Sequence, residues 1–215
     1  MKKLRYHHMG RPAPVGNIMA LETFLTLIAF AFVAAGTPGP NTMMLFASGV
    51  NFGFRSTVPH MVGIGVGFLA LLLAVGFGLG ALLTRFPALY LVLKLLGGAY
   101  LVYLAWRIAT SETLPEAKAG AKPLTFIEAA AFQWVNPKAW VMLVTAMGIY
   151  TDPNHYAHTV MLIFLAFALA TVPCVSAWAG FGSSLRSWLA DPVRLKRFNV
   201  AMAVLLVASL WPMLR

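Results

Sequence analysis

The feature that most constrains this chain is a long run without a single charge, MVGIGVGFLALLLAVGFGLGALL at 61–83. An α-helix needs roughly 20 consecutive apolar residues to cross the hydrocarbon core of a bilayer. Of all 215 residues, 60% are hydrophobic and only 10% are charged, whereas a soluble domain carries about 25% charged residues. The chain could not present a wetted surface of normal polarity, and we interpret it as an integral membrane protein.

Six apolar segments have the length of membrane-spanning helices. Strands of a membrane barrel alternate in polarity, whereas these segments are apolar on every face. We therefore predict an all-α fold with six transmembrane helices at roughly 21–49, 59–83, 87–108, 126–149, 158–184 and 197–214.

A long polar joint, TSETLPEAKAGAKPLT, divides the chain into two halves with three predicted helices each. An odd number of helices per half would place the halves in opposite orientations, which is the layout of inverted repeats in transporters. The predicted organisation is a disordered basic extension at 1–18, a first repeat at 19–109, a cytoplasmic linker at 110–125 and a second repeat at 126–215.

The orientation follows from the positive residues, which accumulate on the cytoplasmic side of a membrane. The first, third and fifth connections between predicted spans lie on the same side of the membrane. With their flanks they hold eight positive residues, namely Arg55, Arg107, Lys118, Lys122, Arg186, Arg194, Lys196 and Arg197. The other side holds three, namely Arg85, Lys94 and Arg215. This places the linker in the cytoplasm. Counting the four basic residues of the extension changes the ratio to eight against seven, so the orientation depends on whether that extension is translated.

Helix breakers interrupt the first predicted span of each half, at TPGPN (37–41) and at NPK (136–138). A proline inside a helix removes one N–H donor and leaves the carbonyl four residues earlier without its partner. The carbonyls freed in this way belong to Ala34, Gly36 and Gln133. Irregular backbone survives at membrane depth only against protein or a watery cavity, so these breaks indicate such a cavity.

Each break also has the pattern of a helix start. Thr37 before Pro38, and Asn136 before Pro137, place a capping residue ahead of a proline at the first helical position. A helix N-terminus favours an anion, and Lys138 in the first turn becomes favourable when a carboxylate joins it. The alternative is that both helices are merely kinked and that Lys138 extends to the membrane interface.

Polar side chains near the breaks complete the predicted substrate site. Asn41 and Gln133 lie at membrane depth, which favours a position facing the interior. The freed carbonyls would accept from a substrate ammonium group. The predicted substrate-binding residues are Thr37, Pro38, Gly39, Pro40, Asn41, Gln133, Asn136, Pro137 and Lys138.

Two further features leave alternatives open. His60 begins the second predicted span and titrates near neutral pH; it is either a proton relay or an interfacial histidine with satisfied hydrogen bonds. Glycines recur along the same span at 63, 67, 76 and 80. They allow close helix packing, either to accommodate the irregular part of the first span or as generic contacts, and they would permit a homodimer.

The paired motifs TPGPN and NPKAW, together with LLGGAYLVYLAWR at 95–107, resemble the lysine exporter (LysE) superfamily in its homoserine and threonine exporter (RhtB) branch. The resemblance covers nearly all of 19–215. It implies a six-helix, multi-pass permease of the inner membrane that exports amino acids, with proton exchange as its driving force. It also places the two central motifs of the family on Thr37–Asn41 and Asn136–Lys138. A histidine at position 60 departs from the family pattern.

We therefore predict a secondary transporter that exports a small amino acid or a related zwitterion, with protons and the lipid bilayer as its other partners and with no cofactor. The alternative is a metal-cation exporter of the same architecture, although no span carries the clustered carboxylates or histidines that metals require.

Nucleic-acid binding is excluded because the positive charges flank apolar runs. A membrane redox protein would need paired cysteines, and the chain has only Cys174. An intramembrane hydrolase would need a nucleophile with a base, or paired aspartates, within a span. No predicted span contains an aspartate, and the histidines at 60, 155 and 158 lie at the ends of spans, so this class is excluded as well.

Overall fold

The computed structural model describes residues 21–80, 85–110, 122–209 and 211, which form helices and short connections without strands. The predicted extension at 1–18 lies outside the described residues, as does the predicted linker apart from Thr110 and residues 122–125. An all-α fold is therefore confirmed for the described part of the chain.

Eight α-helices make up the described fold. They are α1 (Leu21–Gly36), α2 (Pro40–Phe52), α3 (Phe54–Ala74), α4 (Pro87–Ala109), α5 (Phe126–Val135), α6 (Pro137–Tyr150), α7 (Tyr156–Ser184) and α8 (Pro192–Ala208). The first and fourth predicted spans are each split into two helices, as the breaker motifs predicted. Residues Val75–Leu79 extend α3 but contain a kink, because the backbone angles of Phe77 and Gly78 are not helical.

Two helix starts differ from the prediction. α3 begins at Phe54, five residues before the predicted boundary, and Pro59 lies inside the helix. The reason is Gly53, which joins α2 to α3 alone at a φ of +81°, a left-handed angle that glycine adopts without steric cost. α8 begins at Pro192, because the Asp191 side chain accepts a hydrogen bond from the backbone N–H of Arg194 and caps the helix.

Two described segments are long and apolar enough to cross a membrane, Phe54–Leu79 and Pro153–Ser184. The α1–α2 pair, bent by 56°, is a third candidate if its two helices count as one span. Leu95–Ala109 is a shorter apolar helix. The structure thus supports two or three spans, and six spans in two inverted repeats remain a prediction.

Helix packing crosses between the two halves of the chain. α1 and α2 of the first half pack on α7 of the second, α5 of the second half packs on α3 of the first, and α4 packs on α8. The broken pair α1–α2 therefore contacts α7, which follows the broken pair α5–α6. In the same way, α5 contacts α3, which follows α1–α2. This exchange places the two breaks next to each other.

Glycines bring some of these helices into backbone contact. A Cβ at Gly63 would collide with the carbonyl oxygen of Phe126, and one at Gly67 would lie 2.5 Å from the Cα of Ala130. These glycines of α3 therefore accommodate α5. The expectation that they accommodate the irregular part of the first span is wrong for this pair.

Candidate functional site

The first break lies between α1 and α2. The backbone N–H of Thr37 still bonds to Val33 O at 2.9 Å, so Thr37 closes α1. α2 has Gly39 as its N-cap and Pro40 at its first position. The predicted start at Thr37 and Pro38 is wrong. Pro40 keeps the residue before it, Gly39, out of the helical region, so the helix begins only at Pro40. The Gly39 N–H instead donates to Thr42 Oγ1 at 2.8 Å.

The second break is a single residue, Asn136, between α5 and α6. Its backbone is extended (φ −84°, ψ 106°), and its side chain accepts a hydrogen bond from the backbone N–H of Lys138 at 3.2 Å. Pro137 occupies the first helical position. The predicted cap and start of this half-helix are confirmed.

The carbonyls freed by the three prolines all accept hydrogen bonds within the protein. Ala34 O accepts from Thr37 Oγ1 at 3.1 Å, and Gly36 O accepts from the Trp178 indole N–H at 3.1 Å. Gln133 O accepts from the Asn136 N–H at 3.3 Å. The sequence suggested that these carbonyls would be unpaired and ready to accept from an ammonium group, but each already has one partner. Only the second lone pair of each oxygen is available to a ligand.

Asn41 and Gln133 connect the two broken helices directly. The Asn41 amide donates to Gln133 Oε1 at 2.7 Å, and the Gln133 amide donates back to Asn41 Oδ1 at 3.1 Å. Gln133 is fully buried and also donates to Ala129 O at 2.9 Å. The two side chains predicted to face the interior do so, and they bind each other.

Lys138 bridges the breaks a second time. Its ammonium donates to Thr37 O at 2.7 Å and to Thr37 Oγ1 at 2.9 Å. Gly39 makes room for this side chain, because a Cβ there would lie 2.9 Å from Lys138 Cδ. The φ of Gly39 is 178°, which any residue adopts, so the need for glycine is spatial and not conformational as the sequence suggested.

A cavity of about 50 Å³ adjoins these contacts. Most of its wall is apolar, with five polar residues. It is lined by Ala34, Ala35, Gly39, Asn41, Thr42, Leu45, Ile64, Phe68, Asn136, Lys138, Ala139, Met142, Thr171 and Val175. The structure thus brings Gly39, Asn41, Asn136 and Lys138 of the predicted site to one cavity, with Gln133 bound behind Asn41. Pro38 is exposed and lies outside this lining, whereas Pro40 and Pro137 are buried at the helix starts.

Thr171 is the main cavity residue that the sequence reasoning missed. Its Oγ1 is buried and has no hydrogen-bond partner among the described residues. The sequence offered one signal, a hydroxyl two residues before Pro173 inside the apolar run of α7. Trp178, whose indole binds the first break, gave no signal that distinguished it from an interfacial tryptophan.

His60 lies apart from this cavity, on the wall of a second one. It is 1% exposed, and neither ring nitrogen has a partner among the described residues. The alternative of an interfacial histidine with satisfied hydrogen bonds is therefore wrong, since α3 begins early enough to carry His60 into the interior. A proton-relay role stays a prediction.

Apolar helices of spanning length and two broken helices that meet beside a small cavity are features of a membrane transporter. Residues 31–210 match the family model described as LysE type translocator. The chain belongs to the LysE family, and it is a transporter and not an enzyme.

Curated relatives agree with this assignment. The cysteine/O-acetylserine efflux protein of Escherichia coli (strain K12) is 33% identical over 181 residues, covering 83% of this chain and 90% of the relative. The protein of that name from Shigella flexneri has the same identity and coverage, and the one from Escherichia coli O139:H28 is 32% identical. No solved structure matches the chain.

Proposed function

We propose that this protein is a secondary transporter that exports a small neutral amino acid or a related zwitterion, with its binding site at the cavity between the two breaks. The observation that carries the proposal is Lys138. Its ammonium contacts only the neutral oxygens of Thr37, and no described carboxylate forms an ion pair with it. A half-buried cation next to a cavity, without a counter-ion, would bind the carboxylate of a substrate.

The geometry leaves Lys138 able to do so. An ammonium group has three N–H donors, and Thr37 accepts two of them. The third is available to a substrate carboxylate. A charge-assisted hydrogen bond contributes about 1.5–3 kcal/mol, and roughly 1.4 kcal/mol corresponds to a tenfold change in affinity.

The cavity wall favours a small, uncharged side chain. Its apolar residues include Leu45, Ile64, Phe68 and Met142, and no carboxylate is among the lining residues. A second ammonium, as in lysine, would lose its hydration there without gaining a counter-ion, which is costly in a poorly polar site. The relatives named for cysteine and O-acetylserine efflux suggest substrates of that size for this chain.

The substrate ammonium group needs an acceptor on the opposite side of the site. Thr171 Oγ1 has no partner among the described residues and lines the same cavity. We assign it this role, in addition to the second lone pairs of the freed carbonyls. The two groups of a zwitterion would then contact α6 through Lys138 and α7 through Thr171.

Transport from the cytoplasm across the inner membrane would follow alternating access, in which one three-helix half rocks against the other around this site. Proton exchange is the proposed driving force, with His60 as a candidate relay. The metal-exporter alternative gains no support, because the described residues bring no three histidine, cysteine, aspartate or glutamate side chains together.

Everted membrane vesicles test the proposal, because export from the cell becomes uptake into the vesicle. Isotope-labelled cysteine, serine, O-acetylserine and lysine are offered, with and without a proton uncoupler. We expect saturable uptake of the small neutral substrates, no uptake of lysine, and loss of uptake with the uncoupler.

Lys138→Ala provides the residue-level test. Losing one charge-assisted bond to the substrate predicts a fall in uptake efficiency of roughly 10- to 150-fold, with unchanged membrane insertion. Arg197→Ala, which removes an exposed positive charge on α8, is the control and should behave like the wild type. Unchanged uptake in Lys138→Ala would refute the proposed site.

A further inference from the structure

A second cavity, of about 80 Å³, lies along the C-terminal half of α2, at the end away from the Lys138 site. α2 and α3 form one wall, α4 forms another, and residues 122–124 close it. Its polar lining residues are Ser48, Asn51, His60, Arg107 and Lys122. A cavity of this size has room for a few water molecules or a small carboxylate.

Two of these polar side chains are satisfied within the protein. Ser48 pairs with Thr57 at 2.9 Å, and Asn51 donates to Ala47 O at 2.8 Å and to Asn199 Oδ1 at 3.0 Å. His60 differs, because both of its ring nitrogens are buried and have no partner among the described residues. An unsatisfied buried polar group costs about 1–3 kcal/mol, and one in a native structure calls for a specific explanation, such as a functional role or a bound water or ion.

The two charged side chains that line this cavity are both positive. Arg107 and Lys122 line it, and neither forms an ion pair with a carboxylate in the part of the chain that the structure describes. Arg107 lies over the ring of Tyr103, 5.9 Å from its centroid. Glu128, a nearby carboxylate on α5, is not a lining residue and accepts from the N–H and hydroxyl of Thr125, each at 2.8 Å.

We infer that this cavity is a second binding site for the carboxylate of the transported amino acid, which loads there from the linker side before it reaches Lys138. His60 donates one N–H to the carboxylate, and Arg107 and Lys122 supply the compensating charge. The inference rests on the proposed function, since it assumes that the substrate is an amino acid.

α2 connects the two sites. Met44 lines the second cavity and Leu45 lines the first, and both side chains are buried. These neighbouring side chains separate the cavities in the structure, so substrate would pass only when α2 moves. The second site would therefore govern the affinity for substrate on the linker side, and the Lys138 site would govern turnover.

The test is the concentration dependence of O-acetylserine uptake in everted vesicles, which present the cytoplasmic side. Arg107→Gln and Lys122→Gln should each raise the KM on the order of 2- to 5-fold, as expected for partly solvated charges, with little change in maximal rate. Arg55→Gln removes an exposed arginine of α3 that does not line the cavity and should leave the KM unchanged. A KM equal to that of the wild type in both cavity variants would overturn the inference.

His60→Leu separates a binding role from a structural one. Because His60 has no partner among the described residues, its replacement leaves no described group unpaired, so the melting temperature in detergent should hold or rise. The KM should rise, and His60→Gln, which restores a donor, should recover part of the affinity. A lower melting temperature with an unchanged KM would show a structural role and overturn the inference.

Lipid phosphate is the other source of an anion for such a cavity, and vesicle composition distinguishes it. The KM effect of Arg107→Gln should persist in proteoliposomes of phosphatidylcholine alone. An effect that requires anionic phosphatidylglycerol would identify a lipid site and overturn the inference. Failure of the proposed function looks different, because the wild type itself would then take up no amino acid.

Discussion

The ammonium of Lys138 is bound by both oxygens of Thr37, at 2.7 Å to the carbonyl and 2.9 Å to the hydroxyl, although the residues are 101 positions apart. Thr37 directly follows α1, and Lys138 is in the first turn of α6. The contact therefore joins the two breaks. In the proposed alternating-access cycle, movement of one half against the other would separate this pair, and a substrate carboxylate would compensate for the loss.

Gly39→Ala is the mildest way to disturb this contact. The new Cβ would lie 2.9 Å from Lys138 Cδ and 3.1 Å from its Nζ, so the lysine side chain must shift, which weakens its contact with Thr37. We expect uptake to fall several-fold while the protein still folds, because the displaced side chain is flexible and the backbone angles of Gly39 suit alanine. Transport assays in everted vesicles and size-exclusion profiles in detergent measure the two effects.

Gly148→Ala is the matched control, since a Cβ at Gly148 meets no atom within 4 Å. Replacing a helical glycine with alanine there should stabilise the protein by about 0.5–1 kcal/mol and preserve uptake. Normal uptake in Gly39→Ala would show that the position of Lys138 does not matter for transport.

The amide pair of Asn41 and Gln133 should be energetically coupled. Asn41→Ala leaves the buried Gln133 side chain without this partner, and Gln133→Ala does the same to Asn41, at about 1–3 kcal/mol each. The double variant should cost less than the sum of the singles, by about 0.5–3 kcal/mol. Denaturant unfolding in detergent measures all four proteins, and strictly additive losses would contradict the pair.

The stability of the first break should depend on Trp178, because its indole N–H donates to the Gly36 carbonyl that Pro40 leaves without a helical partner. Trp178→Phe keeps the aromatic contact but removes the donor, so we expect a loss of about 1–3 kcal/mol and a lower melting temperature. Trp134→Phe is the control, because the Trp134 indole makes no hydrogen bond in the described structure. Equal melting temperatures for the two variants would argue against a role for Trp178 at the break.

The sequence predicted those parts of the site that local chemistry determines. The uncharged runs predicted the helices. The order Asn136-Pro137 correctly predicted the N-cap of α6. At the first break the pattern Thr37-Pro38 predicts a start two residues too early. The second proline determines the observed start, since it holds Gly39 out of the helix and α2 begins at Pro40.

Long-range contacts could not be predicted in this way. His60 lies at the start of the predicted span at 59–83, whereas a single glycine, Gly53, lets α3 begin earlier, at Phe54. The hydroxyl of Thr171 has no local pattern that shows which side of α7 faces the cavity. The pairing of Lys138 with Thr37 depends on how the two halves pack, and sequence periodicity does not contain that information.

Thr171→Val tests the proposed acceptor for the substrate ammonium group. Valine has nearly the shape of threonine, and the lost hydroxyl has no partner among the described residues, so the free energy of unfolding should hold or rise. A hydrogen bond to a charged donor contributes about 1.5–3 kcal/mol, and uptake efficiency should therefore fall by 10-fold or more. Thr171→Ser keeps the hydroxyl and should retain most of the uptake. Val and Ser variants that transport equally well would exclude Thr171 from the substrate site, whereas a destabilised Val variant would indicate a hydrogen bond within the protein.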